Sequence, residues 1–146
     1  MEKDVEYMRM ALAEAKQAFS EGEVPIGAVV VAGGRIVASA HNMTERLTDV
    51  TAHAEMLALT AAQSVLGKYL KDATLYVTVE PCTMCAGAIG WTRPSRVVYG
   101  TSEPRIGYTT IVARTPFHPR TQVTAGVLAD EAKALMQEFF KSRRIV

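Results

Sequence analysis

From Val5 to Phe19 the apolar residues Val5, Met8, Leu12, Ala15 and Phe19 recur at intervals of three and four, which predicts a helix with one buried face. Glu21-Gly22-Glu23 and Pro25 break the pattern. Ile26 to Val31 is then continuously apolar and rich in β-branched residues, Gly33-Gly34 supplies a turn, and Ile36 to Ala40 returns as the second strand of a hairpin. A polar connection from Asn42 to Thr51 leads into a second helix, where Ala54, Leu57, Ala58, Ala61 and Val65 repeat at helical spacing up to Gly67. Thr74 to Val79 reads as a third strand. Pro81 stands at a position that needs no amide proton, so Pro81 and Cys82 would open a third helix that runs through Ala86 to Trp91 and stops before Pro94. Arg96 to Tyr99 predicts a fourth strand ended by Gly100, and Gln122 to Ala125 a short fifth. Between them Thr101 to Pro119, with Pro104, Pro116 and Pro119, is the least regular stretch. Leu128, Leu135, Met136, Phe139 and Phe140 mark a last amphipathic helix, with Asp130 and Glu131 in its first turn and Lys141, Arg143 and Arg144 in its last, as the helix dipole prefers.

This order of elements implies an α/β fold with one mixed sheet and helices on its faces. The chain has 146 residues, 49% of them hydrophobic, enough for one domain with a substantial core and too few for two ordinary ones. A net charge of +1 supplies no global field toward nucleic acid or membrane, so a polyanionic partner would have to be met by a local patch. No apolar run reaches the roughly 18 residues that would cross a bilayer, and the N-terminus carries charges where a signal peptide would be apolar, so the expectation is a cytoplasmic protein without a membrane partner.

Only two cysteines occur, Cys82 and Cys85, in one C-x-x-C unit, which is a poor inventory for a disulfide scaffold. A metal enzyme, a thiol redox enzyme and a structural metal module remain open on that ground alone. His53-Ala54-Glu55 stands at the expected start of the second helix and Pro81-Cys82 at the start of the third, so both can point at one place. One imidazole and two thiolates are ligands that zinc takes, and three protein ligands leave a fourth tetrahedral position open, as catalytic sites do. A structural site would want a fourth ligand, and neither His41 nor His118 lies at ligand spacing. A helix N-terminus lowers a thiol's pKa and favours the thiolate. Glu55, two residues from His53, projects about 200° away around the helix axis, so it does not share the ligand's face but still reaches the reacting centre as a general acid and base.

H-x-E followed by P-C-x-x-C is the signature of zinc deaminases. With it come Glu23-Val24-Pro25-Ile26-Gly27-Ala28-Val29-Val30, His41-Asn42, Thr51-Ala52-His53-Ala54-Glu55, Leu75-Tyr76-Val77-Thr78-Val79-Glu80-Pro81-Cys82, Met84-Cys85-Ala86-Gly87-Ala88-Ile89, Val97-Val98-Tyr99-Gly100 and Phe139-Phe140-Lys141. Through these motifs nearly the whole chain resembles the bacterial tRNA-specific adenosine deaminases of the cytidine/deoxycytidylate deaminase superfamily. The resemblance implies a single deaminase domain over residues 1–146, a three-layer α/β/α sandwich with a five-stranded mixed sheet, and a homodimer. It implies one zinc per subunit on His53, Cys82 and Cys85, with Glu55 shuttling protons, and hydrolytic conversion of a wobble adenosine in a tRNA anticodon stem-loop to inosine. Asn42 and the backbone of Ala54 would contact the flipped base, and Pro25, Ile26 and Pro81 would wall the pocket.

After Tyr99-Gly100 the chain departs from the commoner family pattern of an acidic residue, a basic residue and a small-residue loop. Glu103, Arg105 and Gly107 match in kind, whereas Tyr108 and His118-Pro119 do not. Tyr108 could stack on a base, and Arg105, Arg114, Arg120, Lys141, Arg143 and Arg144 could meet phosphates. The Trp91-Thr92-Arg93-Pro94 run resembles guanine deaminases, which leaves deamination of a free base or nucleoside (guanine, cytosine or adenosine) as the alternative.

Overall fold

The computed structural model describes residues 2–143, so Arg144 lies outside the described residues. Its elements are α1 (Glu2–Ser20), β1 (Gly27–Ala32), β2 (Arg35–His41), α2 (Ala54–Leu66), β3 (Ala73–Val79), α3 (Thr83–Thr92), β4 (Arg96–Thr101), α4 (Tyr108–Ile111), β5 (Gln122–Ala125) and α5 (Ala129–Arg143). The strands form one five-stranded sheet in the order β2-β1-β3-β4-β5. β1 is antiparallel to β2 and β3, and β4 is parallel to β3 and β5.

The alternation of side chains along each strand divides the core in two. Ala28, Val30, Leu75, Val77, Val97 and Tyr99 face α2 and α3, packing on Ala54, Ala58, Ala62, Ala86 and Ile89. Val29, Val31, Tyr76 and Val98 face the other way onto Met8 and Ala11 of α1. α5 lies on this second face and meets α1 through Phe139, whose ring packs edge-on against Phe19. Helices thus cover both faces, as expected of an α/β/α sandwich, and strands buried on both sides account for the unbroken apolar runs.

Four local expectations are corrected. On α2 the buried stripe is Ala54, Glu55, Ala58, Leu59 and Ala62, while Ala61 and Val65 face outward. The helix is turned so that a carboxyl group points inward. Cys82 is the N-cap of α3, which places Pro81 before the helix and not at its first position. β4 continues through Gly100 to Thr101, because a Cβ at Gly100 would stand 2.4 Å from the Thr78 carbonyl and only glycine lets the strands approach there. The irregular stretch contains the single-turn helix α4, where Tyr108 is 5% exposed and its ring packs 4.8 Å from that of Phe117. Tyr108 is therefore a core residue and not the expected stacking platform.

α1 is tied to the sheet by Asp4, which accepts two hydrogen bonds from the Arg96 guanidinium (2.8 and 2.6 Å) and one from the Tyr76 hydroxyl (2.7 Å). The Arg96 hydrogen bonds hold this carboxyl below the usual carboxylate range against the opposing effect of burial. Among the described residues no helix is long and apolar enough to cross a membrane.

Candidate active site

The sheet register gathers the site at the C-terminal end of β3. β1 runs antiparallel to β3 with Ala28 opposite Val77, and the Gly27 amide donates to the Thr78 hydroxyl (3.2 Å), so Pro25 and Ile26 lie beside the exit of β3. β2 ends with His41 opposite Gly27, which brings Asn42 to the same edge, where its amide donates to the Ile26 carbonyl (3.1 Å). The Met43 amide then donates to the Ala52 carbonyl (2.9 Å) and draws the start of α2 alongside.

His53 and Cys82 occupy corresponding places, the N-caps of α2 and α3, both with extended backbone. Neither side chain caps its own helix, so both are free to act elsewhere. The Cys82 and Cys85 sulfurs stand 3.6 and 3.5 Å from His53 Nδ1, and the three donor atoms lie within 4.8 Å of one another. Zinc–sulfur and zinc–nitrogen bonds of ordinary length in a tetrahedron would separate nitrogen from sulfur by about 3.6 Å. The donor set and its spacing therefore fit zinc.

Glu55 is 3% exposed, and its Oε1 is the only buried side-chain polar atom lacking a partner among the described residues. Burial pushes its carboxyl up to about 7, the negative charge of Cys82 adds to this, and its own backbone amide pulls partly back. Such a group loses and regains a proton easily near neutral pH. The Cys85 thiol holds Cys82 down to about 4 against burial, with His53 assisting, while Cys85 is itself pushed up by donating to Cys82. One thiolate is thus already favoured by the fold, and a bound cation would deprotonate the second.

Around this centre Asn42 is 5% exposed. Ala54, Pro25 and Pro81 are buried and Ile26 is half-buried. His41 stands apart, with Nδ1 2.7 Å from Glu14 Oε1 and Nε2 3.0 Å from Glu21 Oε1, so it is occupied elsewhere than at the metal centre. Glu103 Oε1 accepts the Arg105 amide proton (2.9 Å), leaving the Arg105 side chain exposed. Arg105, Glu103 and Pro104 line one side of a groove of about 570 Å³ whose other side is Met136, Phe140 and Lys141 of α5. Arg114 and Arg120 are exposed outside that groove. Arg143 is already engaged, donating to the Gly22 carbonyl (2.8 Å) and lying 4.7 Å over the Phe139 ring, so the expected basic cluster at the end of α5 is smaller than its sequence suggested.

Two buried carboxylates were not foreseen. Glu23 accepts the amide protons of Glu45 (3.0 Å) and Arg46 (2.7 Å), fixing the loop after Asn42. Glu80 accepts those of Glu103 (3.0 Å) and Thr109 (2.9 Å) on the opposite rim. Sequence alone gives no signal that sets either apart from a surface charge, beyond the position of Glu80 directly between an apolar strand end and Pro81.

Residues 1–101 match the family model of the cytidine and deoxycytidylate deaminase zinc-binding region. The chain is 43% identical over 149 aligned residues to the tRNA-specific adenosine deaminase of Bacillus subtilis (strain 168), spanning 99% of this chain and 92% of the relative. It is similar to a solved structure from work on A-to-I editing by tRNA:A34 deaminases, with a TM-score of 0.82 and 41% identity over 89% of this chain and 98% of the other. It is also similar to a guanine deaminase from Nitrosomonas europaea, with a TM-score of 0.77 and 26% identity over 91% of this chain and 82% of the other.

Proposed function

The chain belongs to the cytidine and deoxycytidylate deaminase zinc-binding family, and from that premise we propose that it hydrolyses the wobble adenosine of a tRNA anticodon to inosine. The observation that carries the chemistry is the buried Glu55 carboxyl, its Oε1 without a partner, beside three donors spaced for zinc. Likeness to tRNA-acting relatives over nearly the full chain carries the choice of substrate.

His53, Cys82 and Cys85 would hold zinc, which when bound would supply the Lewis acidity that makes water nucleophilic near neutral pH. Glu55 would take one proton from water and pass it to the ring nitrogen as the hydroxyl adds to the ring carbon, then take the second proton from that hydroxyl and pass it to the amine as the carbon–nitrogen bond breaks. Adenosine and water thereby become inosine and ammonia. The base enters unstacked, as an anticodon loop permits, with the Asn42 side chain and the Ala54 backbone orienting it between Pro25, Ile26 and Pro81. Arg105 and Lys141 offer cations to phosphates at the groove, and Glu103 orders the Arg105 backbone.

The single 1–146 domain is proposed to work as a cytoplasmic homodimer. Support for a second copy comes from the outward face of α3, where Met84 and Ala88 are half-exposed and Trp91 is 80% exposed, while Ile89 is committed to the core. The guanine-deaminase likeness favours one alternative, a free base as substrate. Purified protein is assayed in parallel on an anticodon stem-loop, guanine, cytosine and adenosine. Inosine at the wobble position supports the proposal, and turnover of a free base with none on the RNA overturns it.

A further inference from the structure

β3 is buried to its end and is followed by a carboxylate, Glu80, in the interior at 4% exposure. Burying that charge is costly unless donors surround it. The donors come from a single loop. Glu80 Oε1 accepts the Glu103 amide proton (3.0 Å), and Oε2 accepts the Thr109 amide proton (2.9 Å) and hydroxyl proton (2.6 Å). Residues 103 and 109 are the two ends of that loop, so one carboxylate clasps both. Between them Gly107 passes so close that a Cβ would lie 2.4 Å from the Glu80 carboxyl carbon. The Tyr108 amide donates to the Pro81 carbonyl (3.0 Å), and Gly107 bridges Cys82 across the backbone. The clasped loop therefore abuts the residue that carries a sulfur donor, while its exposed crest, Pro104, Arg105 and Ile106, stands beside the α5 groove.

We propose that Glu80 is a positioning residue whose carboxylate clasps the 103–109 loop against the Cys82 end of the site and so holds Arg105 where it meets the RNA. The inference rests on the tRNA reading given above. Glu80 touches neither base nor metal. It acts through the loop, and its loss weakens substrate binding more than chemistry.

The test compares full-length wild type with Glu80→Gln, which turns one acceptor oxygen into a donor facing an amide, and with Thr109→Val, which removes only the hydroxyl. Readouts are zinc content, KM and kcat on the anticodon stem-loop, and hydrogen exchange at the Glu103 and Thr109 amides. In Glu80→Gln, KM rises roughly tenfold with kcat within about twofold, zinc is retained, and the two amides exchange roughly tenfold faster while Leu75 in β3 is unchanged. Thr109→Val moves KM about threefold in the same direction, and it decides the matter if Glu80→Gln fails to fold. Unchanged exchange, an unchanged KM, or loss of zinc in step with activity overturns the proposal. A wild type inactive on RNA overturns the functional reading instead, and the exchange at the Glu103 and Thr109 amides then decides alone whether Glu80 clasps the loop.

Discussion

The metal centre and the rim loop beside it are held by opposite means. His53, Cys82, Cys85 and Glu55 sit in the first turns of two helices, and those helices start where the register of β1, β2 and β3 brings them together. Their placement draws on the whole core, spread over many apolar contacts. The 101–119 stretch crosses the same end of the sheet with one helical turn, and its 103–109 segment is tied by the Glu80 clasp and the Pro81 carbonyl, with Tyr108 at its end anchored in the core. On the proposed function, chemistry is built on rigid elements and recognition on a rim segment tied by specific hydrogen bonds, so the two should fail differently when perturbed.

The largest expected effect lies at the metal centre. Cys82→Ala removes one of three donors, and zinc content, measured by atomic absorption, and inosine formation should vanish together. Glu55→Gln separates the metal from the proton transfer: zinc stays near wild type while turnover falls roughly 10²- to 10⁴-fold in a stem-loop assay. Retained turnover in that variant would reduce Glu55 to a structural role. On the rim, Arg105→Ala should raise KM about threefold and flatten its dependence on salt, with kcat and zinc unaltered. An equal effect on a free nucleoside would remove Arg105 from RNA binding.

The smallest effect concerns the edge of the site at His41. Burial opposes its charge, but the hydrogen bonds and charges of Glu14 and Glu21 outweigh burial, and Arg46 in turn stands 3.4 Å from Glu21. His41 therefore titrates above its ordinary value. A raised folded-state pKa adds stability that is fully present below about pH 6.5 and fades as pH rises through the elevated value. Wild type should exceed His41→Gln by about 1–2 °C in Tm on the acid side, with the gap closing on the alkaline side. A constant gap would mean that the contact is not ionic.

The same contrast explains what could be read from the chain. Ile26 to Val31 was legible because a strand covered on both faces is a continuous apolar run, Thr74 to Val79 because its Tyr, Val and Thr favour a strand, and the triad because metal chemistry restricts residue type and spacing. Periodicity misplaced the inner face of α2 at Ala61 and Val65, since a hydrophobic pattern counts Glu55 as exterior when the site needs it inside. Glu23 and Glu80 were missed for the same reason: a buried carboxylate satisfied by backbone amides looks in sequence like any surface charge. Tyr108 looked like a stacking residue because nothing local reveals that Phe117, nine residues on, folds back over its ring.

Zinc stoichiometry measured alongside wobble inosine formation, through chelation and reloading, tests the central claim most directly. One zinc per chain is predicted, with inosine formation falling as the metal is withdrawn and returning when zinc is restored. Full activity in protein stripped of metal, or Cys82 and Cys85 found joined as a disulfide in active protein, would contradict it.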